Sequence, residues 1–519
     1  MHIAHYASLS LVLLGVTADG LRAQTPADRL VVERLHVPAM PTHMDQADLL
    51  AEVQAGRGAD AFLRAFLHGD ALFDTAFNEL DGVGANVGTG MRFTRMPRAD
   101  LIAPGQWARH FPPRATGPNA QSCIACHAAP VPDGGGPVTA NAVRDPRRAG
   151  VAGQMIQRNT PHLFGMGAVQ LLAEEMTMAL HAQREQLRAN VMQSRRSASV
   201  ALVAKGVSFG TLRGDYTPTS NSVVFRTSFV TGVDGDLVVR PFQWKGSVAT
   251  VRDFNRGACH NEIGMQAVEL VGHGVDGDGD RVVNELSVGD LTAMTMYVAA
   301  QPRPVTTLEM SQLGLGAGVS FQQVIRVQNG EALFRQVGCT DCHKPSMELD
   351  AAIFREPSAH PSYRDTIFPA GQSPAAESVR ADAPVAFDLT ADQPQNRFVV
   401  NGRVVNLGAL KRSSTGKAVV SLYGDLKRHR MGAGLAESVD ETGSGADTFL
   451  TENLWGVGST APYLHDGRAT TIAEAILWHG GEALASRDAF RALTELQQRD
   501  MIDFLNSLVL VKGGVPFGG

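Results

Sequence analysis

Two short motifs of cysteine and histidine stand out for the chemistry that their spacing allows. Each has two cysteines three positions apart followed directly by a histidine, at Cys123, Cys126 and His127, and at Cys339, Cys342 and His343. With 5 Cys and 16 His in 519 residues, chance would produce one such motif roughly 0.0015 times. Two thiols at this spacing can each form a thioether with a haem vinyl group, and the histidine then ligates the iron. The motifs therefore predict two covalently bound c-type haems.

Paired cysteines at this spacing also occur in zinc ribbons and in thioredoxin-like redox sites. A zinc ribbon would need both pairs to converge on one ion, and it would not need a histidine after each pair. Haem attachment is therefore the favoured interpretation of these four cysteines. The fifth cysteine, Cys259, stands apart from both motifs.

The N-terminus resembles an export signal. An apolar stretch runs from about Leu9 to Val16, small residues follow, and a cleavage site is predicted after Ala23. His2 and His5 replace the usual Lys or Arg, and a frayed terminus is the alternative interpretation. The signal predicts a periplasmic or secreted protein. No apolar run approaches the roughly 20 residues that span a bilayer, so we expect no integral membrane segment.

The composition is that of an ordinary globular protein, with 44% apolar and 19% charged residues. A length of 519 residues indicates roughly two to four domains. The net charge of -6 and the lack of a long Lys/Arg run remove the electrostatic footprint that nucleic-acid binding needs. We therefore expect no nucleic acid among the partners.

The spacing of apolar residues predicts the elements that carry the motifs. The helix before the second motif should stop at Gly338 and deliver Cys339 directly to its haem. The predicted elements are a helical region at 45–78, helices at 168–192, 320–337 and 486–508, a β-hairpin or small sheet at 200–242, and a hairpin turn at Asn401-Gly402.

A longer motif near the C-terminus resembles a known family. It reads Asn453-Leu-Trp-Gly-Val-Gly-Ser-Thr-Ala-Pro-Tyr-Leu-His465-Asp466-Gly467-Arg468 and continues from Ile472 to His479-Gly-Gly. This segment is similar to the di-haem oxidoreductases of the peroxidase type. That family is related to the bacterial di-haem cytochrome c peroxidases, to the enzyme that matures the tryptophan quinone of methylamine dehydrogenase, and to the di-haem rubber oxygenases. The resemblance runs from about residue 60 to about residue 510.

The resemblance implies a mainly α fold in which two cytochrome c-like haem modules pack together, with long loops and a few short β-hairpins. Together with the element pattern it divides the chain into five segments. They are a signal peptide (1–23), an N-terminal haem module (24–199), a β-rich insertion (200–245), a distal-side and calcium-loop segment (246–310), and a C-terminal haem module (311–519) with a loop insertion at about 350–430.

The resemblance implies ligands for the C-terminal haem. In the peroxidases, a methionine on the helix after the Pro-Tyr-x-His-Asp-Gly segment is the second iron ligand, and His479 occupies the matching position. His343 and His479 would then form a bis-histidine relay with a lower reduction potential than a methionine-ligated haem. A histidine that merely caps the helix before Gly480 is the structural alternative. His465 would support this haem without ligating it.

Other matches to the family fall around the N-terminal haem. Trp244 matches a tryptophan between the two haems, with core packing as the alternative. Glu262 matches a distal glutamate with an offset of two residues, and it is the acid/base candidate because peroxide cleavage needs a group that moves a proton between the two oxygens. Arg158 matches a residue near the haem propionates and could pair with one of them, although a surface salt bridge is equally compatible.

The chain departs from the family just before Glu262. Relatives carry a phenylalanine there, the residue thought to shield oxygen in the rubber oxygenases, whereas this chain has Cys259 and His260. A free thiol in an exported protein is either buried and inert, which we favour, or reactive. His260 could ligate the first iron, and that would close an otherwise open site.

An acidic loop predicts a divalent cation. Asp276, Asp278 and Asp280 alternate with glycine, and Glu285 follows five positions later. Such a loop can wrap its oxygens around calcium, which takes about six to eight of them. Arg281 stands at the turn glycine of a full EF-hand, so we predict a shorter calcium loop, with a simple acidic turn as the alternative.

These features indicate a peroxidase-type di-haem oxidoreductase. Electrons from a small soluble donor, a cytochrome c or a cupredoxin, would enter at the C-terminal haem, pass Trp244, and reduce hydrogen peroxide, the small-molecule oxidant, at the N-terminal haem. Two alternatives remain, a haem-dependent oxygenase that cleaves an apolar alkene and a non-catalytic electron-transfer cytochrome with both irons fully ligated. Cys259 in place of the shielding phenylalanine counts mildly against the oxygenase.

Overall fold

The computed structural model describes residues 40–513, apart from 88–90, 94–118, 137–140, 152–153 and 365–367 and positions 145, 148, 150, 317, 370, 392 and 401. The predicted signal peptide, 1–23, lies outside this range. The helices are α1 (Gln46–Gln54), α2 (Gly58–Asp74), α3 (Met166–Ser194), α4 (Val251–Ala258), α5 (Val268–Val271), α6 (Val288–Ala299), α7 (Thr307–Gln312), α8 (Phe321–Gln336), α9 (Ile472–Trp478), α10 (Leu484–Ala492) and α11 (Glu495–Asn506).

The strands pair into small antiparallel sheets of two or three strands each. Two three-stranded sheets have the orders β5-β6-β7 (Ala198–Ala204, Val207–Thr217, Ser222–Arg226) and β14-β15-β9 (Lys411–Arg412, Ala418–Val420, Met347–Leu349). The two-stranded pairs are β1-β2 (Ala85–Val87, Met91–Phe93), β3-β4 (Asn141–Arg144, Met155–Arg158), β8-β18 (Val305–Thr306, Leu508–Val509), β10-β11 (Ile353–Glu356, Val385–Asp388), β12-β13 (Arg397–Val400, Arg403–Asn406) and β16-β17 (Arg428–Arg430, Thr448–Leu450).

The prediction of a mainly α fold built from two cytochrome c-like modules is wrong. Helices account for 35% of the structure and strands for 17%. Many strands come from the polar and Pro-rich excursion at about 350–430, where apolar periodicity is weak. Such segments satisfy their backbone hydrogen bonds by pairing locally, and the sequence pattern does not reveal those pairings. The predicted segment boundaries remain predictions.

The helix predictions are confirmed where the apolar spacing is long and regular. α3 covers the helix predicted at 168–192, and α8 covers the one at 320–337 and ends just before Gly338, whose φ is +84°. The stretch at 486–508 was predicted as one helix but contains α10 and α11. The hydroxyl of Thr494 accepts from the amide of Gln497 and starts a new helix there.

The β-rich segment is smaller than predicted. It contains β5, β6 and β7 and ends at Arg226, well before residue 242, and Leu237 has a φ of +62° that an extended strand excludes. The hairpin predicted at residues 401–402 is confirmed, since β12 and β13 pair directly across it.

Two glycine contacts hold the helices that flank the cysteine motifs. Gly69 of α2 packs so closely on α6 that an added Cβ would overlap the carbonyl oxygen of Ala293. Gly330 of α8 packs in the same way against the carbonyl oxygen of Asp500 on α11. The close approach of each pair fixes the helix that leads toward a motif.

Candidate functional site

The first cysteine motif lines an open cavity of about 1350 Å³, a volume that includes the solvent space at its mouth. The amides of Cys126 and His127 both donate to the carbonyl oxygen of Cys123 at 3.1 Å, so the motif forms one tight turn. All three residues lie in the cavity wall. Burial lowers the pKa of His127 to about 4. The ring is therefore neutral at physiological pH, which is the form that ligates iron.

Glu262 lies in the wall of the same cavity. It belongs to a π-helical turn, Cys259–Ile263, that follows α4 and ends at Gly264. Its carbonyl oxygen accepts from the amides of Asn119 and Ala120 at 2.8 and 3.0 Å, which ties this turn to the loop that carries the first motif. Such turns are frequent at functional sites because they reorient side chains within a helix.

The carboxyl group of Glu262 has one paired oxygen and one unpaired oxygen. Oε1 accepts from Asn141 Nδ2 at 3.3 Å, and Asn141 Oδ1 in turn accepts from Asn119 Nδ2 at 2.8 Å. Oε2 is buried and has no hydrogen-bond partner among the described residues. Burial raises the pKa of Glu262 to about 7, and the neighbouring side chains of Asn119 and Asn141 oppose this shift. Near neutral pH the group can therefore both accept and release a proton.

Asn255 is a cavity residue that sequence reasoning missed. It lies on α4, is 5% exposed, and lines the first cavity. Its Nδ2 has no acceptor among the residues that the structure describes. A single asparagine in a helix carries no sequence signal of this role.

Trp244 lies between the two cavities, because it lines both the first cavity and the one that contains the second motif. Its indole Nε1 donates to the carbonyl oxygen of Asn159 at 2.9 Å. Its ring meets the ring of His465 edge-on, with centroids 6.5 Å apart. The tryptophan predicted between the haems thus lies in the wall that the two cavities share, and its role in electron transfer remains a prediction.

The second cysteine motif lines an open cavity of about 1490 Å³, a volume that again includes the solvent space at its mouth. The turn again closes tightly, with the amide of His343 donating to the carbonyl oxygen of Cys339 at 2.9 Å. His343 and His479 both lie in this wall. Burial and the neighbouring His479 lower the pKa of His343 to about 4, and burial lowers the pKa of His479.

The two histidines of the second cavity share one hydrogen-bond pattern. His343 Nδ1 contacts the carbonyl oxygen of Tyr423 at 3.1 Å, and His479 Nδ1 contacts that of Ala475 at 2.8 Å. Each bond requires the proton on Nδ1, so Nε2 carries the free lone pair. This is the second-partner arrangement typical of histidine ligands to metals.

His429, which lines the second cavity, is another residue that the sequence did not indicate. It lines the cavity beside Cys342, and its ring nitrogens contact carboxylates of Asp425 and Glu482, each at 2.8 Å. Although burial opposes protonation, interactions with Asp425 first and with the thiol of Cys342 second raise the pKa of His429 to about 10.

The residues of both cavities fit a covalently attached haem. Each wall holds two thiols at thioether spacing and a neutral histidine, and the second also holds a free imidazole nitrogen on His479. The second wall is otherwise rich in apolar groups, among them Phe334, Leu435, Phe449, Leu454, Ile472, Ile476 and Met501.

Arg158 lines the first cavity, but carboxylates already engage its guanidinium. It forms an ion pair with Glu437 and a second with Glu441 at 2.6 Å, and its side chain is buried. Lys245 lies 3.6 Å from Glu437. The alternative interpretation was a surface salt bridge, but these ion pairs of Arg158 are buried. The pairing of Arg158 with a propionate remains a prediction.

His465 also lines the second cavity, apart from the predicted ligands His343 and His479. Its ring stacks on Phe449 with centroids 4.3 Å apart, and burial lowers its pKa to about 4. Its carbonyl oxygen accepts from the amide of Asn159 at 2.7 Å. The supporting role predicted for it is compatible with these contacts.

The two residues that depart from the family have different surroundings. Cys259 is 1% exposed, its Sγ lies 3.9 Å from Met294 Sδ, and burial raises its pKa to about 12. Such a pKa keeps the group in the thiol form, and although Cys259 lines the first cavity, its inert role remains a prediction. His260 is buried but is not among the described residues that line the first cavity.

The acidic loop gathers three of its four predicted ligands. Oxygens of Asp276, Asp278 and Asp280 lie within 4.8 Å of one another. Asp276 also accepts from the amides of residues 279–281 at 2.7 to 3.1 Å, which makes the loop a tight turn. Glu285 is buried, accepts from the amide of Gln266 at 2.6 Å, and does not join the group. Calcium binding remains a prediction.

Comparison with known proteins bears out the family resemblance for the C-terminal part of the chain. Residues 363–508 match the family described as "Di-haem oxidoreductase, putative peroxidase". No curated protein matches the sequence. Within the described residues, we find no helix with the length and hydrophobicity required to cross a membrane.

One of the solved structures that match is "Kuenenia stuttgartiensis Hydrazine Synthase Pressurized with 20 bar Xenon". It is 18% identical to this chain, with a TM-score of 0.19, and the match covers 45% of this chain and 59% of that one. The match thus spans less than two thirds of that protein's length, and a TM-score this low supports no inference about this chain.

Proposed function

Because residues 363–508 match the di-haem oxidoreductases, we propose that the chain is a periplasmic c-type di-haem oxidoreductase of the peroxidase type. When bound, the two haems supply one-electron chemistry, the C-terminal one as a relay and the N-terminal one as the centre where hydrogen peroxide is reduced. A small soluble donor protein, a cytochrome c or a cupredoxin, supplies the electrons. The predicted signal peptide supports export.

The residues that hold the haems come from the two motifs. The thiols of Cys123 and Cys126 attach the first haem, with His127 as its ligand. The second is held by the thiols at 339 and 342 and by His343 and His479.

The observation that carries the proposal is the difference between the two cavities. In the second, His343 shares the wall with a further histidine, His479, whose Nδ1 is engaged so that Nε2 carries the lone pair. In the first, His127 is the one histidine among the described lining residues, and the wall holds the carboxyl group of Glu262 instead. One site thus offers two imidazoles, which suits a relay, and the other offers a single imidazole and a proton-transfer group, which suits a reaction with a small substrate.

Glu262 moves the proton that peroxide reduction requires. Hydrogen peroxide takes two electrons and two protons and gives two waters, and cleavage is easier when the departing oxygen is already protonated. Oε2, which has no partner among the described residues, can accept a proton from one oxygen of hydrogen peroxide and return it to the other, departing oxygen. Asn141 holds Oε1, so the carboxyl group keeps its orientation during this exchange.

Trp244 gives the electrons a route between the centres. It lines both cavities, and the bond from its Nε1 to Asn159 fixes the ring in the shared wall. An aromatic ring in this place shortens the gap that an electron must cross through saturated groups.

Spectroscopy of the holoprotein tests the proposal. We expect one high-spin and one low-spin haem in the EPR spectrum of the oxidised protein. After reduction, carbon monoxide should bind to only one of the two haems. His479→Ala should convert the second haem to high spin. His181→Ala, which changes a histidine outside both cavities, should leave both signals unchanged. Two low-spin haems that bind neither cyanide nor carbon monoxide would support the electron-transfer alternative instead.

The substrate is tested separately. Oxidation of a reduced cytochrome on addition of hydrogen peroxide is the expected activity. Oxygen uptake on polyisoprene without such oxidation would favour the alkene-cleaving alternative and would contradict the proposal.

A further inference from the structure

A buried tyrosine, carboxylate and lysine form a cluster behind the first cysteine motif. Tyr297 of α6 is 1% exposed, and its hydroxyl donates to Asp133 Oδ2 at 2.8 Å. Lys512 Nζ lies 3.0 Å from the same hydroxyl and forms an ion pair with Asp133. The three groups come from distant parts of the chain and meet where Tyr297 and Asp133 are buried and the side chain of Lys512 is 10% exposed.

One carboxylate oxygen of this cluster can take up a proton. Asp133 is 0% exposed, and its Oδ1 has no hydrogen-bond partner among the described residues. Burial raises its pKa, and Lys512 opposes that rise. Its backbone holds a φ of +64°, and its carbonyl oxygen accepts from the amide of Leu163 at 2.9 Å, so the side chain is fixed beside the phenol.

One aromatic ring connects the tyrosine to the candidate haem ligand. The centroid of Phe73 lies 5.3 Å from that of Tyr297 and 6.1 Å from that of His127. Phe73 also lines the first cavity. These separations are those of direct aromatic contacts, so the path from His127 to Tyr297 contains no gap.

We propose that Tyr297 is a redox-active residue that supplies one of the two electrons consumed when hydrogen peroxide is reduced at the N-terminal centre. This inference rests on the proposed function, which provides the oxidant. The phenol loses one electron toward that centre and passes its proton to Asp133, which leaves a neutral tyrosyl radical beside a protonated carboxyl group. The second electron comes from the donor protein. One more donor electron and return of the proton from Asp133 restore the phenol.

The proton acceptor is the reason for choosing this tyrosine. A phenol that loses an electron becomes a very strong acid, so its oxidation is accessible only where a base already accepts its hydrogen bond. The other fully buried tyrosine, Tyr363, lacks this feature. Its hydroxyl donates to the carbonyl oxygen of Val239 and contacts the hydroxyl of Thr177 at 3.0 Å, and it does not line either haem cavity.

Freeze-quench EPR of the holoprotein, first reduced with one electron equivalent of donor and then mixed with hydrogen peroxide in the absence of further donor, tests the inference. We expect an organic radical signal whose hyperfine structure changes when the tyrosines are ring-deuterated. Tyr297→Phe, which keeps the packed ring, should remove the signal, and the matched control Tyr363→Phe should keep it. Asp133→Asn should lower the radical yield at least about tenfold, because the amide cannot take up the proton.

The absorption spectrum of the haems, recorded on the same samples, separates the two possible failures. If peroxide leaves the wild-type spectrum unchanged, the proposed function fails and the inference fails with it. If the spectrum responds but Tyr297→Phe retains the radical signal, or no radical forms, only the inference is overturned.

Discussion

Replacing Glu262 with glutamine tests the proton transfer that the first cavity is proposed to perform. The amide keeps the size of the side chain and can still pair with Asn141, but it cannot exchange a proton. We expect kcat/KM for hydrogen peroxide to fall about 10²- to 10⁴-fold, the range that one general acid/base group contributes, or about 3 to 5 kcal/mol of transition-state stabilisation. The haem spectrum should stay that of the wild type.

The pH dependence of kcat/KM for hydrogen peroxide tests the same proton transfer independently. Burial raises the pKa of Glu262 to about 7, and the ionised form is the one that accepts a proton from peroxide. kcat/KM should therefore rise about tenfold per pH unit up to about pH 7 and level off above it. Asn141→Ala removes the donor to Oε1, which favours the ionised form. At 3.3 Å that bond is worth about 1.5 kcal/mol, so the inflection should move up by about one pH unit.

The assay is the initial rate of donor oxidation at limiting peroxide, measured from about pH 5 to about pH 9. Glu174→Gln is the matched control, because burial also raises the pKa of Glu174 to about 7, while its partners are Gln170 and Ser358 and it lines neither haem cavity. The reasoning is refuted if Glu262→Gln keeps the wild-type rate and inflection, or if the Glu174 control loses them equally.

Four further changes probe other parts of the molecule. His479→Met should raise the reduction potential of the C-terminal haem in a spectroelectrochemical titration, because a thioether ligand favours ferrous iron. Trp244→Phe should slow the arrival of donor electrons at the N-terminal centre in stopped-flow absorbance, without changing its reaction with peroxide alone. Asp278→Asn should weaken calcium binding at least about tenfold in calorimetry, since it removes one of the charges that hold a hard cation. Gly69→Ala should lower the free energy of unfolding in urea by about 1–3 kcal/mol, because the new methyl group meets the carbonyl oxygen of Ala293.

Residues with a local pattern could be located in the sequence. Thiols three positions apart with an adjacent histidine are one such pattern, and a histidine at the end of an amphipathic helix after a distinctive loop is another. The structure brings His343 and His479 into one cavity wall, and His127 and Glu262 into the other. Their proposed roles still depend on the experiments above.

The site residues that could not be predicted from the sequence are single polar side chains whose partners are distant in the chain. Asn141 meets Glu262 across 121 positions, and His429 meets Glu482 across 53. No spacing rule connects such pairs, because the fold alone brings them together. The fold class was mispredicted for the same reason, since short strands of low periodicity acquire their structure from a neighbour, as β9 does from β15 in the sheet next to the second motif.

The contrast between the two cavities has its origin in the elements that close them. His479 follows the last residue of α9, and the bond from its Nδ1 to the carbonyl oxygen of Ala475 directs the other ring nitrogen away from the helix. The first cavity is closed by α4 and the π-helical turn, in which the amide of Gly264 donates to the carbonyl oxygen of Cys259 at 2.9 Å.

A π-helical turn contains one residue more than the corresponding α-helical turn. An α-helix advances about 100° per residue, so loss of that extra residue would rotate the preceding part of the helix relative to Glu262 by about this angle. Glu262 and Asn255 could then no longer line one wall together. The orphaned carboxyl oxygen of Glu262 and the orphaned amide of Asn255 share a cavity because of this one inserted residue, and the proposed difference in chemistry between the two centres depends on it.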